Sequence, residues 1–328
     1  MTCHILAGSA VVEVALPEER RPMERPPDHH PQEPAFDRAW REHRRYLLDV
    51  AYRMLGSLSE AEDVVQESFV RLVRADLDEI QDLRGWLVVV VSRLCLDLLR
   101  SARSQREAYV GPWLPEPLIQ PPDQGVDPAE RVTLDDSVRM ALLVVLERLT
   151  PAERAAFVLH DLFRFSFDDV ARIVGRSPQA CRQLASRARH HVQQQTGPAR
   201  FEVDQTALRR VTDRFIQASS DGDLDALMDV LDPEVVGWTD SGGVVTAPRR
   251  PVVGRRQVAA VFLRFVRDFQ VTLVPMPVNG EPGVLALRDG RLVAVIAFEA
   301  RDGLISRLHA IANPHKLAYV ASLLHATR

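Results

Sequence analysis

The sequence predicts a multidomain chain in which two all-α modules precede an α+β domain. Three observations carry this. Apolar residues recur at helical spacing over 36–104 and again over 131–195. Prolines crowd 1–35 and 105–130, as expected of a tail and a stiffened linker. From residue 200 onward, short helical patterns give way to alternating β-branched stretches. These are separated by Asn279-Gly280, Asp289-Gly290 and Asp302-Gly303, pairs that suit tight hairpin turns. A length of 328 residues allows two or three domains at roughly 100–200 residues each. With 46% apolar and 26% charged residues, there is enough apolar material for real cores.

Residues 1–35 sustain no period and read as a disordered tail. In the first module (36–104), Val65, Phe69, Leu72 and Val73 repeat at helical spacing, with Glu62, Asp63, Glu67, Arg71 and Arg74 on the other faces. Ser59 stands three positions before Glu62, a capping-box spacing that starts this helix at Ser59. The Val88–Val91 run could pass for a buried strand. Leu87, Val91, Leu94 and Leu98 carry the pattern beyond ten residues, so a helix from Arg84 to Arg103 is expected. Arg93, Arg100 and Arg103 share one of its sides. Trp86 opens it, either as a core anchor or as a wall for an unstacked base.

Within the 105–130 linker, Trp113-Leu114-Pro115-Glu116-Pro117-Leu118 is too apolar to lie free, and it is expected to dock on a surface. In the second module (131–195), Thr150-Pro151-Ala152-Glu153 combines an N-cap, a proline at the first helical position and a capping-box glutamate. A short amphipathic helix, Phe167–Val174, follows Ser166 as N-cap. Gly175 supplies a left-handed turn, and Ser177-Pro178 caps the next helix. Helix, tight turn and helix define a helix-turn-helix. Its second helix presents Gln179, Ala180, Arg182, Gln183, Ser186, Arg187 and Arg189, and buries Cys181, Ala185 and Ala188. Gln and Arg near the N-terminal half suit base edges in a major groove, and the later arginines suit phosphates. The bland counterpart is a helical hairpin with a solvated arginine face.

The last domain (200–328) is expected to hold helices around Leu208–Ala218, Leu224–Leu231 and Arg256–Phe269. Strands are expected at Val271–Val274, Gly283–Leu287, Leu292–Glu299 and Leu304–Ile311, in a curved antiparallel sheet. The formal charge of -4 does not oppose nucleic-acid binding if the cations cluster. Lys316 is the only lysine among 41 basic residues. Cys3, Cys95 and Cys181 are too scattered for a disulfide framework or a metal motif. No apolar run approaches the ~18 residues of a membrane span. No basic segment precedes the short apolar stretch near the start, so a cytoplasmic protein without cofactor or metal is expected.

At this point the residues resemble a known family. Ser59-Glu60-Ala61-Glu62-Asp63-Val64-Val65-Gln66-Glu67-Ser68-Phe69 looks like the region 2 signature of sigma-70 proteins of the extracytoplasmic-function class. Arg84-Gly85-Trp86-Leu87 and Asp97-Leu98-Leu99-Arg100 continue it, and 167–189 resembles region 4. The Trp113–Leu118 segment and Asn313-Pro314-His315-Lys316-Leu317 are similar to signatures of the sigma-J-like subgroup, which carries a SnoaL-like C-terminal domain. The resemblance implies a sigma factor that binds core RNA polymerase and promoter DNA. Glu62, Asp63, Gln66 and Glu67 would face the polymerase. Trp86, Arg93, Arg100 and Arg103 would meet the -10 element, and the 177–189 helix the -35 element. The two modules would be held apart on the linker, each gripping its own stretch of DNA.

The resemblance also implies a cone-shaped, nuclear transport factor 2-like C-terminal domain, with an unidentified small ligand as a further partner. This sequence departs from the subgroup pattern at His315, where an aspartate is usual, and at Asp240-Ser241-Gly242-Gly243-Val244, where three glycines and a basic residue are usual. Asp240, His309 and Glu299, with Trp238 as a wall, are the candidates for pocket catalysis. The regulatory reading fits better: Trp113, Leu114, Pro115, Glu116, Pro117 and Leu118 would pack near Asn313, Pro314, Lys316 and Leu317. No enzyme activity is therefore expected, since fold alone does not give function. Two other readings stay open. One is a stand-alone helix-turn-helix regulator with a ligand-sensing domain; the other is a SnoaL-like enzyme fused to a DNA-binding arm.

Overall fold

The computed structural model describes residues 33–107, 109–119, 138–196 and 205–325, with the side chains of 33–35, 102–107 and 196 excepted. The expected tail lies outside the described residues up to position 32, as do Pro121, Pro122 and Pro128 of the linker.

The first module is three helices: α1 (Glu33–Leu55), α2 (Leu58–Val73) and α3 (Leu83–Glu107). Helix α1 begins inside the proline-rich tail, and α3 runs past residue 104 into the stretch read as linker. The capping box expected at Ser59 is not what starts α2. Ser57 is the N-cap, its hydroxyl accepting from the Glu60 N–H, and Ser59 already lies in the first turn. The second module is α4 (Met140–Leu146), α5 (Pro151–Phe157) with a π-turn at Val158–Leu162, α6 (Phe167–Val174) and α7 (Pro178–Thr196). Thr150 and Glu153 form the expected reciprocal capping box. Gly175 closes α6 at φ 74° with its N–H on the Ala171 carbonyl, a conformation that suits glycine.

The two modules are not held apart. Leu87, Val91 and Leu96 of α3 and Phe157, Val170 and Leu184 of the second module belong to one buried cluster. Helix α3 packs against α5 and α6. Both modules bring apolar stripes wider than their own small cores can cover, so they cover each other.

The C-terminal domain comprises α8 (Gln205–Asp221), α9 (Leu224–Asp229), α10 (Arg255–Phe269), α11 (Pro314–His325) and strands β1 (Leu231–Asp240), β2 (Val252–Val253), β3 (Thr272–Val278), β4 (Glu281–Arg288), β5 (Arg291–Arg301) and β6 (Leu304–Ile311). The sheet order is β2-β1-β6-β5-β4-β3. The expected all-antiparallel sheet is corrected by β1, which pairs in parallel with β6, Trp238 beside His309. Pro233 and Gly237 break the strand pattern of β1 in the sequence, and a bulge lies between Leu231 and Val236. The hairpin turns take the expected form, with Asn279, Asp289 and Asp302 at φ of 52°, 50° and 53°.

The central strands are apolar on both faces because both faces are covered. Val284, Ala286, Ile296, Phe298 and Leu308 meet the helices α8 and α10. Leu285, Val295, Ala297 and Ile311 meet α11, Leu114 and Ile119 of the linker, and Met140 of the second module. The space between sheet and helices is filled by Phe215, whose ring lies 4.7 Å from Phe262 and 4.9 Å from Phe298. Replacing Phe215 with Ala is therefore expected to cost about 3–5 kcal/mol in denaturant unfolding of the full chain. A loss under about 1 kcal/mol would remove this ring from the centre of that core.

Candidate nucleic-acid interface and its latch

The arginine surfaces sit on α3 and α7. Arg93 and Arg100 are exposed on α3, and Trp86 is half-buried against the shared core. Arg103 lies in α3, with its side chain outside the described part. On α7, Gln179, Arg182, Gln183, Ser186 and Arg187 are exposed and Ala180 is half-buried, while Cys181, Ala185 and Ala188 face inward. Arg182 lies over the Phe167 ring at 5.3 Å. Arg189 is tied to Asp161 at 2.9 Å, and Arg187 stands 3.5 Å from Glu153.

One arginine of each surface lines a shared cleft. Arg100 of α3, Arg176 of the turn and Arg187 of α7 line a cavity of about 430 Å³ with Thr150 and Glu153. Elsewhere along α3, Arg93 Nη2 donates to the Arg172 carbonyl of α6 at 2.9 Å. In this arrangement α3 is packed against α5 and α6, so the two arginine surfaces stand on one packed body.

Asp63, Gln66 and Glu67 are exposed on α2, and Glu62 is half-buried. Burial raises the Glu62 pKa, opposed by Arg44 at 3.6 Å. Glu67 pairs with Arg71 at 2.9 Å. Beside these acids lies a groove of about 230 Å³ lined by Phe36, Trp40, Phe69, Val70 and Val73. Val70 and Val73 are 43% and 57% exposed. The helical spacing grouped Val73 with Val65, Phe69 and Leu72, but Val73 turns outward and with Val70 forms this groove, which the sequence reading overlooked.

The linker is held by a network of buried polar groups. Asp240, at the end of β1, is fully buried rather than part of an open turn. Its Oδ2 accepts from the Leu114 N–H at 2.8 Å and from Lys316 Nζ at 2.7 Å. Its Oδ1 accepts from the Tyr109 hydroxyl and from the Gly242 N–H. Lys316 also donates to the Leu114 carbonyl, and its ammonium sits 3.3 Å from the Trp113 ring centre. Burial pulls the Lys316 pKa below the usual lysine range, and Asp240 opposes that pull. Burial and Asp240 hold the Tyr109 phenol protonated well above its ordinary range, so it can accept from Asn313 Nδ2 at 2.8 Å while donating to Asp240. Gly242 has φ 59°, and a β-carbon there would lie 2.5 Å from Asn313 Nδ2. The Asn313 amide can reach Tyr109 here only because that carbon is missing.

Further along, Glu116 enters the first module. Its carboxylate accepts from the Leu58 and Ser59 N–H groups at 2.8 and 3.3 Å and from both the Ser57 and Ser59 hydroxyls. A linker glutamate thus caps α2, where a negative charge is favourable. The Tyr52 hydroxyl donates to the Glu116 carbonyl at 2.8 Å and accepts from Asn279 Nδ2 at 3.1 Å. Asn279 also donates to the Val138 carbonyl, and it pairs with Leu118 through both its side-chain oxygen and its backbone N–H. The structure brings Leu114, Glu116, Leu118, Lys316 and Leu317 into buried positions and leaves Pro314 and His315 exposed. The side chain of His315, the departure from the subgroup pattern, is exposed, and only its backbone N–H touches the network, donating to Asn313 Oδ1 at 3.0 Å. Tyr52, Ser57, Tyr109 and Asn279 were not foreseen, because each acts through partners more than 50 residues away in the chain.

The other candidates for pocket chemistry cluster on the same sheet face. His309 is 1% exposed, with Nε2 2.9 Å from Glu299 Oε1 and its ring stacked on Trp238 at 5.2 Å. Asp240 is saturated by four donors, so it has no lone pair left for general-base work.

Lys316→Met is expected to leave the Asp240 carboxylate buried without its cation and to cost about 3–5 kcal/mol. The linker around Trp113 should then be cut readily in limited proteolysis. Unchanged stability together with an uncut linker would show that Lys316 does not hold the segment.

Residues 39–105 match the Sigma-70 region 2 family, and 139–192 match the Sigma-70, region 4 family. The chain is 45% identical over 285 residues to the probable ECF RNA polymerase sigma factor SigI of Mycobacterium tuberculosis, spanning 85% of this chain and 93% of that relative. It is 42% identical over 290 residues to the ECF RNA polymerase sigma factor SigJ of the same species, spanning 83% and 90%. The crystal structure of M. tuberculosis extracytoplasmic function sigma factor SigJ is similar at a TM-score of 0.69 and 36% identity, over 86% of this chain and 98% of that one.

Proposed function

We propose a closed resting state and an open working state for this chain, which belongs to the extracytoplasmic-function class of sigma-70 RNA polymerase sigma factors, with regions 2 and 4 followed by a SnoaL-like domain. It directs core RNA polymerase to promoters and initiates transcription. No helix among the described residues is long and apolar enough to cross a membrane, and a cytoplasmic place follows from work on the chromosome.

The observation that carries the two-state reading is the Arg93 contact from α3 to the Arg172 carbonyl of α6. It joins the region 2 helix to the helix-turn-helix. Promoter entry requires α3 and α7 to separate, so that Trp86, Arg93, Arg100 and Arg103 meet the -10 element while Gln179, Ala180, Arg182, Gln183, Ser186 and Arg187 meet the -35 element. Arg189 joins them only by giving up Asp161. Separation costs the apolar area shared by the modules, and contacts of Glu62, Asp63, Gln66 and Glu67 with polymerase would offset it. The SnoaL-like domain modulates the balance through Trp113–Leu118, clamped by Asp240, Lys316 and Asn313. Sigma factors are not an enzyme family. Saturation of Asp240 and burial of His309 favour a structural use of these groups over catalysis. The phenylalanines packed between sheet and helices favour a cone whose work is the clamp rather than capture of a small apolar ligand.

Run-off transcription with core enzyme tests the cycle. Arg93→Cys with Arg172→Cys, joined by a bis(methanethiosulfonate) reagent that leaves two reducible disulfides, should initiate less than the same variant left unjoined, and return to that variant's level on reduction. Full initiation by the cross-linked chain would end the two-state reading. The native Cys95 and Cys181 are buried and should not compete for the reagent, and Cys3 is replaced by Ser in both the joined and the unjoined chain. Gln179→Ala and Arg182→Ala should each cost about 1–3 kcal/mol of discrimination at the -35 element, read as a relaxed preference in binding to mutated sites. An undisturbed preference would move base reading elsewhere on α7.

A further inference from the structure

The C-terminal domain carries a basic surface that the reading above does not use. The stretch 241–267 contains six arginines and no aspartate or glutamate, in a chain whose 45 acidic residues outnumber its 41 basic ones. Four of the six bracket the edge strand β2: Arg249 and Arg250 before it, Arg255 and Arg256 after it at the start of α10. All four are exposed, and among the described residues none has an ion-pair or hydrogen-bond partner. Arg264, also exposed, continues the surface along α10. Unpaired guanidinium groups gathered on one edge repel one another, and a folded domain gains nothing internally by keeping them together.

Their position is specific. The linker crosses the same edge directly after α3: a β-carbon on Gly111 would lie 3.9 Å from the Arg249 Cα, and one on Gly243 would lie 2.9 Å from Val110 Cβ. The quartet therefore stands where α3 passes into the linker. Arg100 lies seven residues before the end of that helix, about 10 Å at 1.5 Å per residue. A duplex lying along the α3 arginines would run on toward Arg249.

We propose that Arg249, Arg250, Arg255 and Arg256 form a phosphate-contacting surface for duplex DNA flanking the promoter, so that the SnoaL-like domain is itself a DNA-binding element. This rests on the promoter-binding reading of α3 and α7. The surface reads no sequence, because it offers guanidinium groups along an edge and no element that could enter a groove. It adds affinity through the effective concentration that regions 2 and 4 create once they are bound.

The test uses the full chain carrying R249Q, R250Q, R255Q and R256Q together, and a second full chain with lysine at the same four positions. Binding to a fluorescent duplex of arbitrary sequence is followed as salt is raised. The slope of log affinity against log salt should be shallower by up to about 3.6 in the glutamine variant, at roughly 0.9 for each of four lost phosphate contacts, and should stay near that of the parent in the lysine variant. An unchanged slope in the glutamine variant overturns the proposal. So does an equal loss in the lysine variant, or a loss of affinity for core polymerase with the DNA slope intact, which would make the partner an acidic protein face. Failure of the underlying reading is separately visible: the parent chain would then drive no run-off transcript, whatever the salt slope of either variant.

Discussion

A carboxylate buried without water must be fully satisfied, and the way Asp240 is satisfied organises the molecule. Two of its donors come from the linker, Tyr109 and the Leu114 N–H; one comes from α11, Lys316; and one is local, Gly242. None can be withdrawn without leaving charge stranded in a low-dielectric interior. The linker is thereby fixed on the sheet. Once it is fixed there, Glu116 is delivered to the start of α2 and Leu118 to Asn279. A chain segment that would otherwise set a variable distance between two modules becomes part of a common interior.

That interior explains why the two promoter-reading modules lie against each other. Tyr52 of region 2, Val138 at the start of region 4 and Asn279 of the SnoaL-like domain meet around one amide side chain. Each hydrogen bond is modest, on the order of 1 kcal/mol net. Their weight lies in being mutual, since the loss of any member leaves the others unpaired. Asn279 can serve because its hairpin turn requires a left-handed residue, which asparagine tolerates. A local turn rule and a long-range contact thus fall on the same side chain.

Much of this was legible in the sequence. The helix-turn-helix could be read because each of its signals is local: the Thr150 cap, Gly175, and the alternation of arginine with small residues along α7. The hairpins of the last domain were legible for the same reason. What escaped was non-local. Strand β1 was hidden by Pro233 and Gly237, and its parallel pairing with β6 has no signature within either segment. The cap of α2 was assigned to Ser59 on its spacing to Glu62, whereas Ser57 caps the helix, and the Glu116 carboxylate that joins it comes from more than fifty residues away. The apposition of α3 on α6 was likewise invisible, since arginine faces look the same whether they wait for DNA or rest on a neighbour. The apolar Trp113–Leu118 segment gave away that it docks, but not that Asp240 would hold it.

Lys316 is the only lysine in the chain, and it lies 5% exposed beneath Trp113. Apart from the chain's own amino terminus, primary-amine chemistry thus has one address in this protein, and the clamp covers it. Any reagent or cellular modification that demands a lysine would find no side-chain target while the linker is seated and a single reactive nitrogen once it lifts. By concentrating its positive charge in arginine, the sequence leaves one amine whose accessibility reports the state of the whole assembly.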